Sequence, residues 1–258
     1  MNAEIDEGTI RHLILNTYRM YRTKFGNQYG EIVICHDGGK YWRKDVYPYY
    51  KANRKKNRDK SDLDWNKVHD IMNKMYNEIS LNFPYKNLKI SRVEADDIIA
   101  VLCQKHNKEE KILIVSSDKD FQQLQRYENV KQYSPLKKSY IACEEPENFI
   151  IEHIIKGDTS DGIPNILSDD DTLVNKEKRQ KPCGAKKICK LKNNLDELID
   201  TPNWKRNQQM IDFNYIPDEI REIILDEFAK EPIGSRKNIL NYFIDNRLKN
   251  LMPHIAEF

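Results

Sequence analysis

The sequence has no long apolar run and no excess of charge of one sign. Among its 258 residues, no stretch approaches the ~18 consecutive apolar residues of a membrane-spanning helix. The N-terminal MNAEIDEG is acidic and lacks the pattern of a signal peptide. With 43 basic and 41 acidic residues, the net charge is only +2, so the local distribution of charge is more informative than its sum. These features predict a soluble, intracellular protein.

The sequence also lacks a regular pattern of cysteines. Its five cysteines are odd in number and unevenly spaced: Cys35, Cys103, Cys143, Cys183 and Cys189. This favours free thiols in a reducing compartment over a disulfide framework. Cys183 and Cys189 have no histidine nearby, which argues against a zinc site.

Short apolar runs alternate with helical patterns in the first part of the chain. Helices are predicted at 9–25, at 62–83 and from about 94, and strands at 32–35, at 88–90 and over KILIVSS (111–117). This alternation predicts an α/β domain with a core of parallel strands and helices on both faces. From about residue 147 the pattern is mostly helical. We therefore expect an α/β region at 1–156 and a helical region at 157–258.

Acidic residues follow the predicted strands or begin the predicted helices. Any one of them could be a helix cap or a solvated loop residue. Together they would repel one another unless cations neutralised them, and magnesium prefers oxygen ligands of this kind. A two-metal site for phosphoryl chemistry is therefore predicted, with eight candidate ligands: Asp37, Glu94, Asp96, Asp97, Asp118, Asp120, Asp158 and Asp161.

Basic residues are concentrated in two segments. Residues 40–60 hold nine Lys or Arg against two Asp, with five aromatic residues interleaved, and residues 176–192 hold eight Lys or Arg against one Glu. Such segments can bind phosphates and stack on bases, although a solvated charged loop explains them equally well. The acidic run 169–171 lacks the later glycine and glutamate of an EF-hand, so we interpret it as a loop.

Three motifs together resemble the 5′-3′ exonuclease and flap endonuclease family. They are EADD (94–97), VSSDKDFQQL (115–124) and KGDTSDGIPN (156–165), and the segment 36–56 matches the family segment that follows its second aspartate. The likeness extends over essentially the whole chain. It is greatest to the ribonuclease H members found in phages, supported by TIRHLILN near the start and DFNYIPD (212–218).

The resemblance implies specific roles for the acidic residues and a PIN-like nuclease fold. Asp37, Glu94, Asp96 and Asp118, with Asp97 close behind, match ligands of a first magnesium ion. Asp120, Asp158 and Asp161 match a second, more loosely held ion, and Mn²⁺ could substitute for Mg²⁺. The residues expected to act in catalysis are Asp37, Glu94, Asp96, Asp118 and Asp120.

The resemblance also implies how nucleic acid is bound. Lys51 and Arg54 match the base of a helical arch at about 40–62, and residues 157–190 resemble a helix–three-turn–helix that grips duplex phosphates. The expected nucleic-acid contacts are Arg43, Lys51, Arg54, Lys55, Lys186 and Lys187. An insertion at 168–183 separates GIPNI from GAKK (184–187), which departs from the family pattern.

The implied activity is a magnesium-dependent 5′-3′ nuclease that removes RNA primers or 5′ flaps during phage DNA replication. RNA–DNA hybrids and branched or nicked duplex DNA are the implied substrates. A monomer in the host cytoplasm, with a phage single-stranded-DNA-binding protein as partner, is also implied. A phosphotransfer domain with an aspartyl nucleophile is a further hypothesis, but the separate EADD and GDTSD clusters argue against it.

The family begins with a strand that ends in a metal-binding aspartate, and we find no such strand here. Only MNAEIDE and Gly8 precede the first predicted helix, and Asp6 does not replace the missing ligand. A start site assigned too late, a split gene or weakened catalysis would each explain this. The last explanation supports a second hypothesis, in which the chain binds nucleic acid but does not cleave it.

Overall fold

The computed structural model describes residues 6–54 and 64–258, and an α/β fold is confirmed for this part of the chain. Its helices and strands follow in chain order: α1 (Glu7–Tyr29), β1 (Val33–His36), α2 (Arg43–Val46), α3 (Trp65–Asn82), β2 (Lys86–Lys89), α4 (Ala95–His106), β3 (Ile112–Val115), β4 (Val130–Ser134), β5 (Ser139–Ile141), α5 (Pro146–Lys156), α6 (Ala185–Lys192), α7 (Leu195–Leu198), α8 (Pro202–Ile211), α9 (Asp218–Ala229) and α10 (Arg236–Asp245). Short 3₁₀ helices lie at Lys119–Arg126, Thr159–Asp161, Phe213–Tyr215 and Met252–Glu257. None of the helices in the described ranges is long and apolar enough to cross a membrane.

The chain divides into two compact units. Of the described residues, 6–36, 64–89 and 226–258 belong to the first unit, and 37–54 and 90–225 belong to the second. The predicted boundary between 156 and 157 lies inside the second unit. The division into a nuclease core and a duplex-binding region therefore remains a prediction about function rather than about compactness.

The first unit contains one pair of parallel strands and a core rich in aromatic residues. β1 and β2 are in register, with Ile34 opposite Asn87. In the core, the fully buried Phe83 packs against Tyr85, Tyr242, Phe243 and Phe258. Aromatic contacts of this kind stabilise a core beyond the area they bury, and they join chain segments far apart in sequence.

The N-terminus of α1 is closed by a side-chain cap. Asp6 accepts a hydrogen bond from the backbone N–H of Thr9 at 2.7 Å, as capping aspartates commonly do. Asp6 therefore serves as the N-cap of α1. Residues 1–5, on which the prediction of a missing strand partly depends, lie outside the described residues.

The second unit contains a three-stranded sheet in the order β3-β4-β5. β3 and β4 are parallel, whereas β5 is antiparallel to β4. Buried Gln123, in the 3₁₀ helix after β3, fixes this region through its side chain. Its Nε2 donates to the carbonyl of Ile211 at 3.1 Å, and its Oε1 accepts from the N–H of Phe213 at 3.0 Å. The carboxylates that follow β3 are thus held on an ordered turn.

Candidate metal centre

The loop after β1 places Asp37 against the start of α4. The backbone N–H of Ala95 donates to Asp37 Oδ1 at 2.9 Å, and the N–H of Gly38 donates to the carbonyl of Val93 at 2.9 Å. A side chain on Gly38 would collide with the backbone, since its Cβ would lie 1.6 Å from the carbonyl oxygen of Ile90. Glycine at this position therefore permits the close approach that aligns Asp37 with the first turn of α4.

Arg43 pairs with two of the predicted metal ligands. Its Nη1 lies 2.8 Å from Glu94 Oε2, and its Nη2 lies 2.7 Å from Asp97 Oδ1. The indole Nε1 of Trp42 donates to the other oxygen of Asp97 at 3.0 Å. Arg43 is only 3% exposed and Asp97 is fully buried. This burial and pairing argue against the predicted contact of Arg43 with nucleic acid, and they also argue against Asp97 as a metal ligand, because protein groups already hold its carboxylate.

Glu94 and Asp161 share a second group of partners. Lys51 Nζ contacts Glu94 Oε1 and lies 3.6 Å from Asp161 Oδ2. The Tyr50 hydroxyl lies between the same two carboxylates, 2.9 Å from Glu94 and 3.2 Å from Asp161. Arg54 Nη2 contacts Asp161 Oδ1 at 2.5 Å. Basic side chains therefore neutralise much of the negative charge on this side of the cluster.

Asp96 is the carboxylate most affected by its acidic neighbours. Burial, and then repulsion from Asp118, raises the pKa of Asp96 to about 7, and Glu94 and Asp37 add to the shift while Lys51 opposes it. Four of the predicted ligands are thus close enough to interact electrostatically. Such a cluster requires positive charge if every member is to be ionised at neutral pH.

Asp118 and Asp120 lie at the carboxyl end of β3, on the first turn of a 3₁₀ helix. Asp118 is exposed and accepts a hydrogen bond from the backbone N–H of Asp120 at 3.0 Å. Burial raises the pKa of Asp120 to about 6, with the charges of Asp118 and Asp158 adding to the shift and His153 opposing it. Asp120 therefore connects the Asp96 group with the carboxylate of Asp158.

Asp158 is held by several donors. Its Oδ1 accepts from the N–H and hydroxyl of Ser160 at 2.9 and 2.5 Å, and its Oδ2 lies 2.8 Å from Lys119 Nζ. Burial disfavours the charged form, but the hydrogen bonds from His153, Lys119 and Ser160 outweigh it and lower the pKa of Asp158. Asp158 is consequently ionised throughout the physiological range of pH.

His153 belongs to this site although it was not among the residues predicted from sequence. Its ring lies between the two carboxylates, with Nδ1 3.5 Å from Asp120 Oδ1 and Nε2 3.3 Å from Asp158 Oδ2. The ligand atoms of these three residues all lie within 4.8 Å of one another, close enough to hold one metal ion. In the sequence, His153 stands next to Ile154 and Ile155 on a predicted helix, where a core histidine is the ordinary interpretation.

The remaining predicted cations differ in accessibility. The side chain of Lys51 is 9% exposed, whereas that of Arg54 is 48% exposed. Lys186 and Lys187 are exposed in the first turn of α6. Lys55 lies outside the described residues. Among the predicted nucleic-acid contacts that lie in the described residues, a phosphate can therefore reach Arg54, Lys186 and Lys187.

The insertion at 168–183 is a structured loop. Lys178 pairs with Asp171 at 2.6 Å and with Asp169 at 3.2 Å, and Arg206 pairs with Asp170. Because basic side chains already neutralise this acidic run, its interpretation as a loop rather than a calcium site is consistent with the structure.

Two family models together match almost the whole chain. Residues 6–152 match the model described as the 5′-3′ exonuclease N-terminal resolvase-like domain. Residues 144–258 match the model described as the C-terminal part of T4 RNase H.

Similar curated proteins are nucleases of phage and bacterial origin. The chain is 35% identical to a ribonuclease H of Enterobacteria phage T4, over 99% of this chain and 88% of that protein. It is also 32% identical to a 5′-3′ exonuclease of Buchnera aphidicola, over 64% of this chain and 57% of that protein.

Solved structures with the same fold come from bacteriophage T5. A flap endonuclease in a pseudo-enzyme–product complex with DNA and metal ions matches with a TM-score of 0.61 and 18% identity, over 89% of this chain and 93% of that one. A 5′-exonuclease with bound zinc matches with a TM-score of 0.60 and 19% identity, over 88% and 93%. The fold, the two family models and the full-length similarity together show that this chain belongs to the 5′-3′ exonuclease family of nucleases, with a C-terminal region of the T4 RNase H type.

Proposed function

We propose that the protein is a magnesium-dependent, structure-specific 5′ nuclease that hydrolyses phosphodiester bonds at two metal ions. Its substrates would be RNA–DNA hybrids and flapped, branched or nicked duplexes. The observation that carries this proposal is the convergence of Asp37, Glu94, Asp96 and Asp118, where burial and then the neighbouring carboxylates raise the pKa of Asp96 to about 7. Divalent cations are the natural counterions for such a cluster.

The donors present fit hard divalent cations. Asp37, Asp96 and Asp118 offer carboxylate oxygens that no basic side chain in the described residues pairs with, and oxygen ligands suit Mg²⁺. These three, with Glu94, would hold the first ion, and Asp120 and Asp158 would hold the second. Bound there, the ions would activate a water molecule for attack on the phosphodiester and neutralise the charge that develops on the phosphate.

Exposed basic residues are suited to hold the substrate near these carboxylates. Arg54 contacts Asp161 with one nitrogen and remains half exposed, and Lys186 and Lys187 are exposed at the start of α6. Cations at a helix N-terminus combine side-chain charge with free backbone N–H groups, which favours phosphate binding. We propose that Lys186 and Lys187 contact the duplex and that Arg54 contacts the 5′ strand.

The similar proteins suggest a biological setting for this activity. The T4 relative is named a ribonuclease H, and the T5 structure is of a flap endonuclease with DNA. We therefore propose removal of RNA primers or 5′ flaps during phage DNA replication, by a monomer in the cytoplasm of an infected host. A phage single-stranded-DNA-binding protein is the proposed partner.

The internal cations favour one second candidate, a family member that binds nucleic acid without cleaving it. Lys51 contacts Glu94, Arg54 contacts Asp161 and Lys119 contacts Asp158. Protein cations therefore already occupy positions at three of the predicted ligands. If they replaced the metal ions, substrate would bind but no product would form.

Cleavage of 5′-labelled substrates separates these candidates. The full chain is incubated with an RNA–DNA hybrid and with a 5′-flap duplex, in Mg²⁺ and in EDTA. We expect short 5′-labelled products in Mg²⁺ only. Asp118→Asn/Asp120→Asn should reduce cleavage by more than about 100-fold, because loss of groups that merely support metal ligands typically costs 10- to 100-fold.

The double variant also excludes a contaminating nuclease. We expect it to retain substrate binding within about threefold, because neither residue belongs to the exposed cations that bind phosphate. Binding by the wild type without cleavage in Mg²⁺ would overturn the proposed activity in favour of the second candidate.

A further inference from the structure

His153 is a buried nitrogen donor placed among carboxylates. It lies on α5 and is 5% exposed, and the ring of Phe149 packs against it with the centroids 5.6 Å apart. The imidazole is thereby held between Asp120 and Asp158, with one ring nitrogen directed at each carboxylate. A fixed ring of this kind presents its nitrogens in a defined direction.

Two atoms at the centre of this arrangement lack hydrogen-bond partners. Nδ1 of His153 and Oδ1 of Asp120 are both buried and unpaired, although they lie 3.5 Å apart. A hydrogen bond between them would bring the atoms to about 2.7–3.2 Å. Buried polar atoms are rarely left without partners, and a cation between these two would satisfy both.

The groups that contact Asp158 allow a cation to bind at this carboxylate. Ser160 occupies Oδ1 of Asp158, and Oδ2 is contacted by the Lys119 ammonium at 2.8 Å and by Nε2 of His153 at 3.3 Å. The Lys119 side chain is 53% exposed, so it can move into solvent when a cation binds at Oδ2. By contrast, the imidazole cannot leave, because it is packed inside the unit.

We propose that the second cation site of this nuclease is formed by Asp120, His153 and Asp158, and that the imidazole makes it selective for manganese over magnesium. The inference rests on the proposed metal-dependent function, which it makes more specific. Mg²⁺ is bound almost entirely by oxygen, whereas imidazole suits first-row transition-metal ions. Their affinity increases from Mn²⁺ towards Cu²⁺, so Co²⁺ and Zn²⁺ should also compete for this site.

Manganese provides a direct probe of nitrogen coordination. The full chain is titrated with Mn²⁺, and free Mn²⁺ is followed by electron paramagnetic resonance to obtain stoichiometry and affinity. Electron spin echo envelope modulation of the bound ion then detects a coordinated ¹⁴N. We expect ¹⁴N coupling in the wild type. In His153→Gln it should be absent, with Mn²⁺ affinity at one of two sites at least about 10-fold weaker.

Competition and a matched variant test selectivity. Displacement of Mn²⁺ by Mg²⁺ should require a lower Mg²⁺ concentration in His153→Gln than in the wild type, since the preference for manganese is lost. His69, which is exposed on α3, provides the control, and His69→Gln should leave both the ¹⁴N signal and the affinity unchanged. Circular dichroism verifies that each variant is folded, and the wild-type ¹⁴N signal is informative even if His153→Gln is not.

The outcomes separate this inference from the proposed function. Mn²⁺ bound without ¹⁴N coupling, or coupling that persists in His153→Gln, would overturn the role of His153 and leave a nuclease with oxygen-only sites. If no Mn²⁺ binds at any site, both the inference and the metal-dependent function are overturned.

Discussion

At the scale of single residues, the guanidinium of Arg43 lies between two carboxylates that the sequence assigns to metal binding. It pairs with Glu94 and Asp97 and lies over the ring of Trp42, 4.5 Å from its centroid. Its Nε also donates to the carbonyl of Met210 at 3.1 Å. Lysine could not replace it, because a single ammonium cannot reach all of these acceptors in one plane.

Removing this cation should therefore destabilise the fold. We expect Arg43→Met to lower the free energy of unfolding by about 3–5 kcal/mol, because two buried carboxylates lose their partner. Lys44, the next residue on α2, is exposed, and Lys44→Met should change stability by less than about 0.5 kcal/mol. Urea denaturation of the two variants measures the difference. Equal midpoints would show that Arg43 is not a structural cation.

Whether the surroundings of a carboxylate can be predicted from sequence depends on how far along the chain its partners lie. Asp96 lies in the first turn of α4 and Asp118 just after β3, and their approach follows from a helix start and a strand end that short motifs in the sequence can indicate. The pairing of Asp97 could not be predicted in this way, since its partner Arg43 is 54 residues away along the chain and no local sequence pattern indicates the pair. His153 was missed for a related reason, because an imidazole beside isoleucines on a helix resembles a core residue.

At the scale of elements, the site depends on the contact between the loop after β1 and the start of α4. The N–H of Trp42 donates to the carbonyl of Arg92, and the N–H of Arg92 donates to the carbonyl of Gly39. Together with the bond from Gly38 to Val93, these form a short ladder of backbone hydrogen bonds. It fixes the position of Asp37 relative to the first turn of α4.

This ladder leaves no space for a side chain at Gly38. We expect Gly38→Ala to cost about 1–3 kcal/mol of stability, the usual range for overpacking. It should also reduce cleavage on the order of 10- to 100-fold, because Asp37 would move by a fraction of an ångström or more.

Another glycine serves as the control for this substitution. A Cβ on Gly26, in α1, would make only an ordinary contact 3.7 Å from Arg22 Cγ, so Gly26→Ala should be neutral or stabilising by up to about 1 kcal/mol. Thermal unfolding and cleavage rates of both variants provide the comparison. Wild-type stability and activity in Gly38→Ala would show that the loop yields easily and does not define the site.

The elements themselves are largely those that the sequence predicts, and the differences have physical causes. α3 and β3 lie where their apolar patterns place them, because such patterns report burial directly. FQQLQRY (121–127) follows β3 with a helical pattern, and Lys119–Arg126 forms a 3₁₀ helix. A hydropathy pattern does not distinguish the tighter winding of a 3₁₀ helix from that of an α-helix. The antiparallel pairing of β5 with β4 was not predicted, since Ser139–Ile141 is too short for a periodic signal.

At the scale of the whole molecule, the net charge is nearly neutral, but the carboxylates of one cluster repel one another. Their repulsion acts against folding. Because burial and neighbouring carboxylates raise the pKa of Asp96 from 3.8 to about 7, the folded state binds a proton that the unfolded state releases. Stability is therefore lost as the pH rises from about 4 to 7, and the full penalty applies at pH 8.

A cation and a charge-removing substitution should relieve the same penalty. In EDTA at pH 8, we expect Asp96→Asn to be more stable than the wild type by about 1–3 kcal/mol, less than the full shift implies because solvent partly screens the site. At pH 5 this advantage should shrink, since Asp96 is then protonated in the folded wild type. Asp70→Asn, at an exposed position on α3, should have no effect at either pH.

Magnesium should reverse the order of the two proteins. At a free concentration of 100 times its Kd, an ion that binds only the folded state adds about 2.7 kcal/mol to the stability of the wild type. Asp96→Asn has lost a ligand and should gain much less from the same concentration. Thermal unfolding of both proteins, with Mg²⁺ and with EDTA, measures both differences. A variant that is destabilised in EDTA, or that gains as much from Mg²⁺ as the wild type does, would show that Asp96 is a structural carboxyl group rather than a metal ligand.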